Sequence, residues 1–368
     1  KNDFDYILID EVHKAGAASY HKVIDYFDPK FLMGMTATPE RTDIFNIFEL
    51  FDYNIAYKIR LQEALEEDLL CPFHYFGVTD YEKDGVIIEE TTNFENLVAE
   101  ERVKFIIEKI QYYGVSRHKI RGLVFCSRKE EAKKLSEIFN NRGFYTAFLS
   151  GEDSISKREE VVERLENGEL DYIFTVDIFN EGIDIPSVNQ IIMLRNTQSS
   201  IIFIQQLGRG LRKHGSKDYV TIIDFIGNYK NNYMIPMALS GDMSYNKDSL
   251  RKGTFDTSYI TGISSINFEA IAKERIYKAI DDVKLDSMKS IKDAYAKLKI
   301  RLNRVPMLVD FLEQKSIDPY LIVSGKVSII KTYYDFLLKN DDAIGKISEL
   351  ENKYLMIISR EFLTGVRK

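Results

Sequence analysis

GLVFCSRKEEAKKLSEIFNNRGFYTAFL, residues 122–149, decides the fold. Residues 122–126 are an apolar run of strand type, 129–141 a charged helical stretch and 145–149 a second apolar strand. Downstream the same rhythm predicts a helix over 154–167, strands over 172–176 and 188–194, a further helix, and a strand over 219–225. Strands alternating with helices of about 10 to 15 residues imply βαβ units and a parallel sheet covered on both faces. The expected class is α/β.

The helix expected before the last strand reads SIIFIQQLGRGLRK, residues 200–213. Arg209 and Arg212 are three apart and share one helical face beside Gly208. Two guanidiniums there suit a cluster of phosphate oxygens; a solvated basic side of an amphipathic helix is the other reading. Upstream, TVDIFNEGIDIP (175–186) places Glu181, Gly182 and Asp184 in a tight acidic loop between two apolar strands. An acid there could accept a hydrogen bond from a ribose hydroxyl or order facing arginines, and a plain connecting turn is the alternative. The chain opens with FDYILI (4–9), which delivers Asp10 and Glu11, then Val12 and His13. Adjacent carboxylates after an apolar strand are costly unless a cation sits there. Magnesium on a nucleotide fits: one carboxylate holds the hydrated ion and the next orients a water. An acidic first turn of a helix fits as well. A helical stretch (15–27), a break at Pro29 and a strand (31–35) lead to Thr36, Ala37, Thr38 and Pro39. Hydroxyls at a strand's C-terminal end lie where open α/β sheets place ligand groups, although a threonine-rich turn explains them too. Residues 41–70 read as mostly helical, and 73–95 as irregular or extended, with a turn at Asp84 and Gly85. This stretch is expected to join two lobes, followed by a helix from about 93 to 113.

A length of 368 residues predicts two or three domains, and 45% hydrophobic with 29% charged residues is enough for a sizeable core. No apolar run reaches the roughly 18 residues of a membrane span, and no signal-peptide pattern opens the chain, so a cytoplasmic protein is expected. Cys71 and Cys126 lie far apart and the five histidines make no ligand spacing, which predicts reduced thiols and no structural metal. The net charge of −7 hides an asymmetry: residues 241–368 hold 22 Lys and Arg against 18 Asp and Glu. Residues 241–262 look loosely structured, and helices are expected over 267–281 and 287–302, with short ones after Pro306 and Asp318. Lys289, Lys292, Lys297, Lys299, Arg301 and Arg304, with Tyr295 among them, make the 287–302 region basic. Helix, turn (303–306) and helix could form a helix-turn-helix-like DNA contact, or a solvated helix packed on the rest.

Taken together, these pieces resemble the motor core of a superfamily 2 helicase or translocase. DEVH (10–13) resembles motif II of the DEAD/DEAH-like group, TATP (36–39) motif III and LVFCSR (123–128) motif IV. LSGEDSISKRE (149–159) resembles the following segment near nucleic acid, NEGIDIP (180–186) motif V and QQLGRGLR (205–212) motif VI. Six motifs in order over about 200 residues make the resemblance specific. It implies RecA-like P-loop NTPase lobes: part of the first over 1–72, an inter-lobe linker over 73–113 and a complete second lobe over 114–235. A mostly helical accessory domain, binding DNA or a partner, would occupy 236–368. The implied activity is that of an ATP-dependent helicase hydrolysing ATP between its lobes, with ATP and Mg²⁺ as cofactors.

By the resemblance Asp10 and Glu11 form the metal site, with Glu11 positioning the attacking water and His13 linking to the second lobe. Thr36 and Thr38 couple nucleotide state to motion, and Gly182 and Asp184 face the nucleotide. Gln205 orders the γ-phosphate region, and Arg209 and Arg212 act as arginine fingers, worth about 10³-fold or more. Ser127, Arg128, Ser150, Gly151 and Thr175, with Lys297 and Arg301 of the tail, are the expected nucleic-acid contacts, largely to backbone phosphates. DNA is expected over RNA. Two departures stand out. Val176 replaces the usual threonine before the motif V acid, leaving Thr175 one position early, and no GxxxxGK[ST] phosphate loop is present. The expectation is therefore a piece of a longer protein, inactive alone. The tail, with LLCPFHYFGVTD (69–80), resembles bacterial restriction or defence helicases that end in a domain of unknown function, many of which begin with a phospholipase-D-like nuclease. The rival expectation is a degenerate motor lobe whose tail recruits a partner, against which the intact Asp10, Glu11, Arg209 and Arg212 speak.

Overall fold

The computed structural model describes residues 4–12, 15–27, 29–36, 47–83, 86–89, 91–117, 119–176, 185–196, 203, 207–208, 210–242, 244–256, 260, 262–285, 287–314, 316–323, 330–340, 342 and 345–359. Two compact units divide the chain: Lys1–Lys58 with Met243–Asn246 and Lys284–Lys368, and Ile59–Asp242 with Lys247–Val283.

At the start of the first unit, β1 (Tyr6–Ile9) pairs in parallel with β2 (Phe31–Gly34) across α1 (Ala18–Tyr26), and a 3₁₀ turn (Ile47–Phe51) follows. Ile9, Val12, Ala15 and Ile47 form its small core. A side chain at Gly34 would put a Cβ 2.4 Å from the Phe51 ring and 2.9 Å from Val12, so the glycine lets that ring lie on the strand.

The second unit begins with α2 (Leu61–Glu66) and β3 (Phe73–Thr79), then the short hairpin β4 (Glu82–Lys83) and β5 (Val86–Ile87), α3 (Phe94–Leu97) and α4 (Glu100–Tyr113). It continues through β6 (Gly122–Cys126), α5 (Lys129–Asn141), β7 (Thr146–Leu149), α6 (Ile155–Glu166), β8 (Tyr172–Thr175), β9 (Gln190–Leu194) and β10 (Val220–Ile226). It closes with α7 (Met234–Ser240), α8 (Lys247–Phe255), β11 (Ser265–Phe268) and α9 (Ala270–Asp282). Seven strands form one parallel sheet in the order β11-β3-β10-β9-β6-β8-β7. Every residue of β6, β8, β9 and β10 is buried, as expected of strands covered on both faces. Val103, Ile106, Ile107 and Ile110 of α4 and Ala132, Leu135 and Phe139 of α5 pack on them, each set at helical spacing.

Two stretches differ from expectation. Residues 73–79, taken for part of a linker, are a strand inside the sheet between β10 and β11, with Phe73, Tyr75 and Val78 buried. The supposed linker over 73–113 is thus built into the second unit, because its pairing partners lie some 150 to 190 residues further on, beyond the reach of local pattern. Residues 247–255, taken for loose chain, form α8, and 265–268 add an edge strand to the same sheet.

The remaining described elements of the first unit are helices: α10 (Met288–Leu302), α11 (Leu308–Glu313), α12 (Tyr320–Val323), α13 (Tyr333–Lys339) and α14 (Glu349–Ile357). Ser287 caps α10 by accepting from the Ser290 N–H at 3.1 Å, and Asn303 ends it in the left-handed region at φ 49°. Ile291, Tyr295, Leu298, Phe311, Ile322 and Phe336 form a separate core. No helix among the described residues is long and apolar enough to cross a membrane.

Candidate nucleotide and nucleic-acid site

In the first unit the chain leaves β1 directly into Asp10 and Glu11. The Glu11 N–H donates to Asp10 Oδ1 at 2.8 Å, and Glu11 itself holds φ +48°, a left-handed conformation uncommon for a residue with a side chain. The turn is fixed on both sides: the Met35 N–H donates to the Ile9 carbonyl at 2.8 Å and the Val12 N–H to the Met35 carbonyl at 3.0 Å. Burial of Val12 and Ala15 anchors the chain beyond the turn. Asp10 is exposed and Glu11 half-buried, so the strand end presents two carboxylates from a strained, well-tied turn. Thr36 comes directly after Met35 and is half-buried. His13 and Thr38 lie outside the described residues.

In the second unit, the strand order β6-β8-β7 brings three expected contacts to one rim. Thr175 ends β8 opposite Phe125 of β6 and Leu149 of β7, Ser127 lies just past β6, and Ser150 just past β7. Their hydrogen bonds divide them. Ser127 donates both its N–H and its hydroxyl to Glu131 Oε2, at 3.0 and 2.7 Å, so both donors already serve the protein. Ser150 likewise donates its N–H to Asp153 Oδ2 at 2.7 Å and its hydroxyl to the same oxygen at 3.2 Å. Asp153 also accepts from Lys157 Nζ at 2.5 Å; burial pushes its pKa up, but these donors outweigh that and hold it below the usual carboxylate range. The Gly151 carbonyl accepts from Arg158 at 2.7 Å. Arg128 is half-buried, with one guanidinium N–H on the Thr92 carbonyl at 2.8 Å. Thr175 is fully buried, and among the described residues its hydroxyl has no hydrogen-bond partner.

Beneath this rim lies an ionic cluster that motif reading missed. The buried Arg102 guanidinium grips Asp80 through two bonds, Nε to Oδ1 at 3.0 Å and Nη2 to Oδ2 at 2.9 Å. Its Nη1 reaches Glu131 at 3.2 Å and the Leu97 carbonyl at 2.6 Å. Burial alone would loosen the Arg102 proton, but Asp80 and then Glu131 more than offset it and hold the guanidinium more firmly charged than usual. Glu131 thus connects Arg102 to Ser127. A signal for the cluster was present in the sequence: Arg102 and Glu131 each occupy a position on the buried face of an amphipathic helix, beside Val103 and Ala132.

The motif VI segment is described only in part. Phe203, Leu207, Gly210 and Leu211 are buried and Arg212 is exposed. The Leu211 carbonyl accepts from the Cys71 N–H at 2.7 Å, and the Gly210 N–H donates to the Leu207 carbonyl at 3.0 Å. Gly182, Asp184, Gln205 and Arg209 lie outside the described residues. The two tail residues expected to touch nucleic acid belong to the first unit and differ from each other. Lys297 is exposed, whereas Arg301 donates to Gln314 at 3.2 Å and burial lowers its pKa. Nearby, Arg304 forms a two-bond pair with Asp310 at 2.7 Å each, and Lys299 pairs with Asp342, so half of the basic residues singled out in this region serve the domain's own fold.

Known families align with these parts. Residues 101–214 match the helicase conserved C-terminal domain, residues 1–41 the res subunit of type III restriction enzymes, and residues 291–368 a domain of unknown function (DUF8090). A Saccharomyces cerevisiae protein named for ATP-dependent helicase activity, IRC3, is 28% identical over 74% of this chain and 40% of its own length. The type I restriction enzyme EcoAI endonuclease subunit of Escherichia coli is 25% identical over 60% of this chain and 31% of its own length. The DNA 3'-5' translocase XPB2 of Sulfurisphaera tokodaii is 24% identical over 58% of this chain and 56% of its own. The chain thus spans roughly a third to a little over half of these relatives. With a parallel α/β sheet, a match to the helicase C-terminal domain and a match to a restriction-enzyme subunit in one order, the chain is similar to the superfamily 2 helicases of restriction type.

Proposed function

We propose that this chain is part of the motor of an ATP-dependent DNA translocase, coupling ATP hydrolysis to movement along DNA. The observation that carries the reading is the Asp10–Glu11 turn, where a parallel strand delivers two adjacent carboxylates, Glu11 left-handed, between flanking residues Ile9 and Val12 that are both hydrogen-bonded to Met35. Strain of this kind persists where the surroundings fix it and clusters at functional positions. The donor set suits magnesium carried by a nucleotide: such an ion keeps phosphate oxygens and waters and needs only one or two protein carboxylates. When bound, magnesium would neutralise phosphate charge. Asp10, oriented by the Glu11 N–H, would hold it, and Glu11 would position the attacking water. Arg209 and Arg212 would stabilise charge on the transferring phosphoryl group, with Gln205 ordering it and Gly182 and Asp184 touching the nucleotide. Thr36, Thr38 and His13 would couple nucleotide state to motion.

DNA as the track is supported by the restriction-enzyme segment and by the relative named as a DNA translocase. Arg128 and Lys297 are the proposed phosphate contacts; Thr175, expected to be a third, is fully buried at the end of β8 and would act only by placing the segment that follows it. Ser127, Ser150 and Gly151 would shape the rim, since the donors of both serines are already engaged. A phosphate loop would have to come from a segment other than those present here. The open face of the small sheet supports this: Tyr6, Leu8 and Phe31 are 69%, 59% and 49% exposed on one side of a parallel pair whose other side packs through Ile7, Ile9 and Leu32, and parallel strands are normally covered on both faces. The chain alone would then be inactive. The test is Arg212→Ala in the longer protein carrying this chain, with DNA-stimulated turnover and ATP binding measured together. Turnover should fall at least about 10³-fold while ATP binding stays within a few-fold. Unchanged turnover would remove Arg212 from the mechanism.

A further inference from the structure

Lys217 is buried, with 5% of its surface exposed, and no motif contains it. Its ammonium donates to two main-chain carbonyls, Val188 at 2.7 Å and Gly210 at 2.5 Å. Those two carbonyls belong to the two segments that the family reading makes responsible for the nucleotide. Val188 stands where the chain leaves the acidic loop ending at Pro186 and enters β9. Gly210 lies between Arg209 and Arg212. A buried ammonium is expensive unless hydrogen-bonded, and a buried carbonyl left without a donor is expensive too, so the three groups hold one another in place.

The surroundings leave this tie little slack. Gly210 packs so closely on the sheet that a Cβ there would come 2.9 Å from Ile191 Cδ1 and 3.2 Å from Val220 Cγ1. The Val188 N–H donates to the Ile185 carbonyl at 3.1 Å, and the Lys217 N–H to the His214 carbonyl at 3.2 Å, which fixes both ends of the bridge. Leu207 and Leu211 are buried on either side of Gly210, so Arg212 projects from a segment pinned by packing and by Lys217.

We infer that Lys217 is a positioning residue: its ammonium ties the exit of the acidic loop to the arginine segment and sets where Arg212 stands during phosphoryl transfer. The inference rests on the proposed ATPase reading for its consequence, but the tie itself can be tested without activity. Lys217→Met keeps the length of the side chain and removes the donors. A misplacement of about 1 Å at a catalytic group can cost about 10²-fold in rate. In the longer, DNA-stimulated protein, Lys217→Met is expected to lower kcat about 10- to 100-fold while KM for ATP stays within about twofold, since the arginines act mainly in the transition state.

In parallel, hydrogen exchange on this chain should show the Gly210 and Leu211 amides of Lys217→Met exchanging at least about tenfold faster, with β9 and β10 unchanged. Unaltered exchange at Gly210 and Leu211, or equal loosening across the whole sheet, would overturn the tie. Altered exchange with an unchanged kcat would overturn the positioning role. A parent protein with no nucleic-acid-stimulated turnover would end the ATPase reading and the positioning role with it, while the exchange result would still decide whether the tie exists.

Discussion

Arg102→Met is the perturbation that probes the second unit most sharply. The side chain makes four hydrogen bonds, two to Asp80, one to Glu131 and one to the Leu97 carbonyl, and all three charged side chains are buried. Removing one partner of a buried ion pair costs about 3–5 kcal/mol, because the remaining charge stays desolvated without compensation. Here two carboxylates are stranded, so the loss should reach the upper part of that range, a large share of a typical stability of about 5–15 kcal/mol. Asp80→Asn added to Arg102→Met removes one stranded charge and should recover about 1–2 kcal/mol, a non-additivity that a double-mutant cycle reads directly. Urea unfolding followed by far-UV circular dichroism is the assay, with the midpoint falling and the slope unchanged. If folding fails outright, Arg102→Lys, which keeps the charge but loses the two-bond grip on Asp80, should still unfold at lower urea than the parent. A loss below about 1 kcal/mol for Arg102→Met, or strict additivity with Asp80→Asn, would refute the reasoning.

Three other residues give outcomes of their own. Burial pushes the Asp224 carboxyl up to about 7, opposed by the Tyr75 hydroxyl that donates to it at 2.5 Å and helped by Asp80. A raised carboxyl pKa means that the folded chain holds a proton the unfolded chain has released. This contribution is fully present below about pH 4 and is lost as pH rises toward 7, at up to about 1.4 kcal/mol per pH unit. Asp224→Asn should flatten that slope and be the more stable form at pH 8 by about 2–4 kcal/mol; equal pH profiles in urea unfolding would contradict it. Gly227→Ala places a Cβ 2.4 Å from the Ile88 carbonyl oxygen, a main-chain atom that cannot swing aside, and should cost about 1–3 kcal/mol. A thermal midpoint equal to that of the parent would show that the Ile88 turn yields. Arg128→Ala should weaken DNA binding alike on all sequences and reduce the slope of log affinity against log salt by about 1, whereas an unchanged slope would return Arg128 to its bond with Thr92.

The strands that carry the second unit were legible because each is short and apolar, with amphipathic helices between β6, β7 and β8 and the acidic loop between β8 and β9, so that the pattern assigns β6 through β10. β3 was not. Its residues 73–79, FHYFGVT, run four ring side chains together and then three smaller ones, next to Pro72, and only pairing with β10, some 150 residues away, makes that pattern a central strand. Motif spacing led to Asp10, Glu11, Ser127, Ser150 and Thr175 and to their strand ends, since strand order places such ends on a shared rim. It could not say which donors were already engaged. That Ser127 and Ser150 serve Glu131 and Asp153 depends on side-chain geometry three to four residues along a turn, which spacing alone leaves open. Arg102 and Lys217 went unread for a related reason. A cation in an otherwise buried position announces a partner without identifying it, and Asp80 and Glu131 for Arg102 and Val188 for Lys217 lie beyond any local spacing.

The measurement that bears most directly on the account is ATP hydrolysis by the longer protein and by this chain in parallel, each with single-stranded DNA, double-stranded DNA, RNA and no nucleic acid. The account predicts turnover in the longer protein that rises with DNA more than with RNA, falls away in Glu11→Gln, and is absent from this chain under every condition. Hydrolysis by this chain alone would contradict the reading that its phosphate loop lies elsewhere, and a longer protein indifferent to nucleic acid would contradict the motor itself.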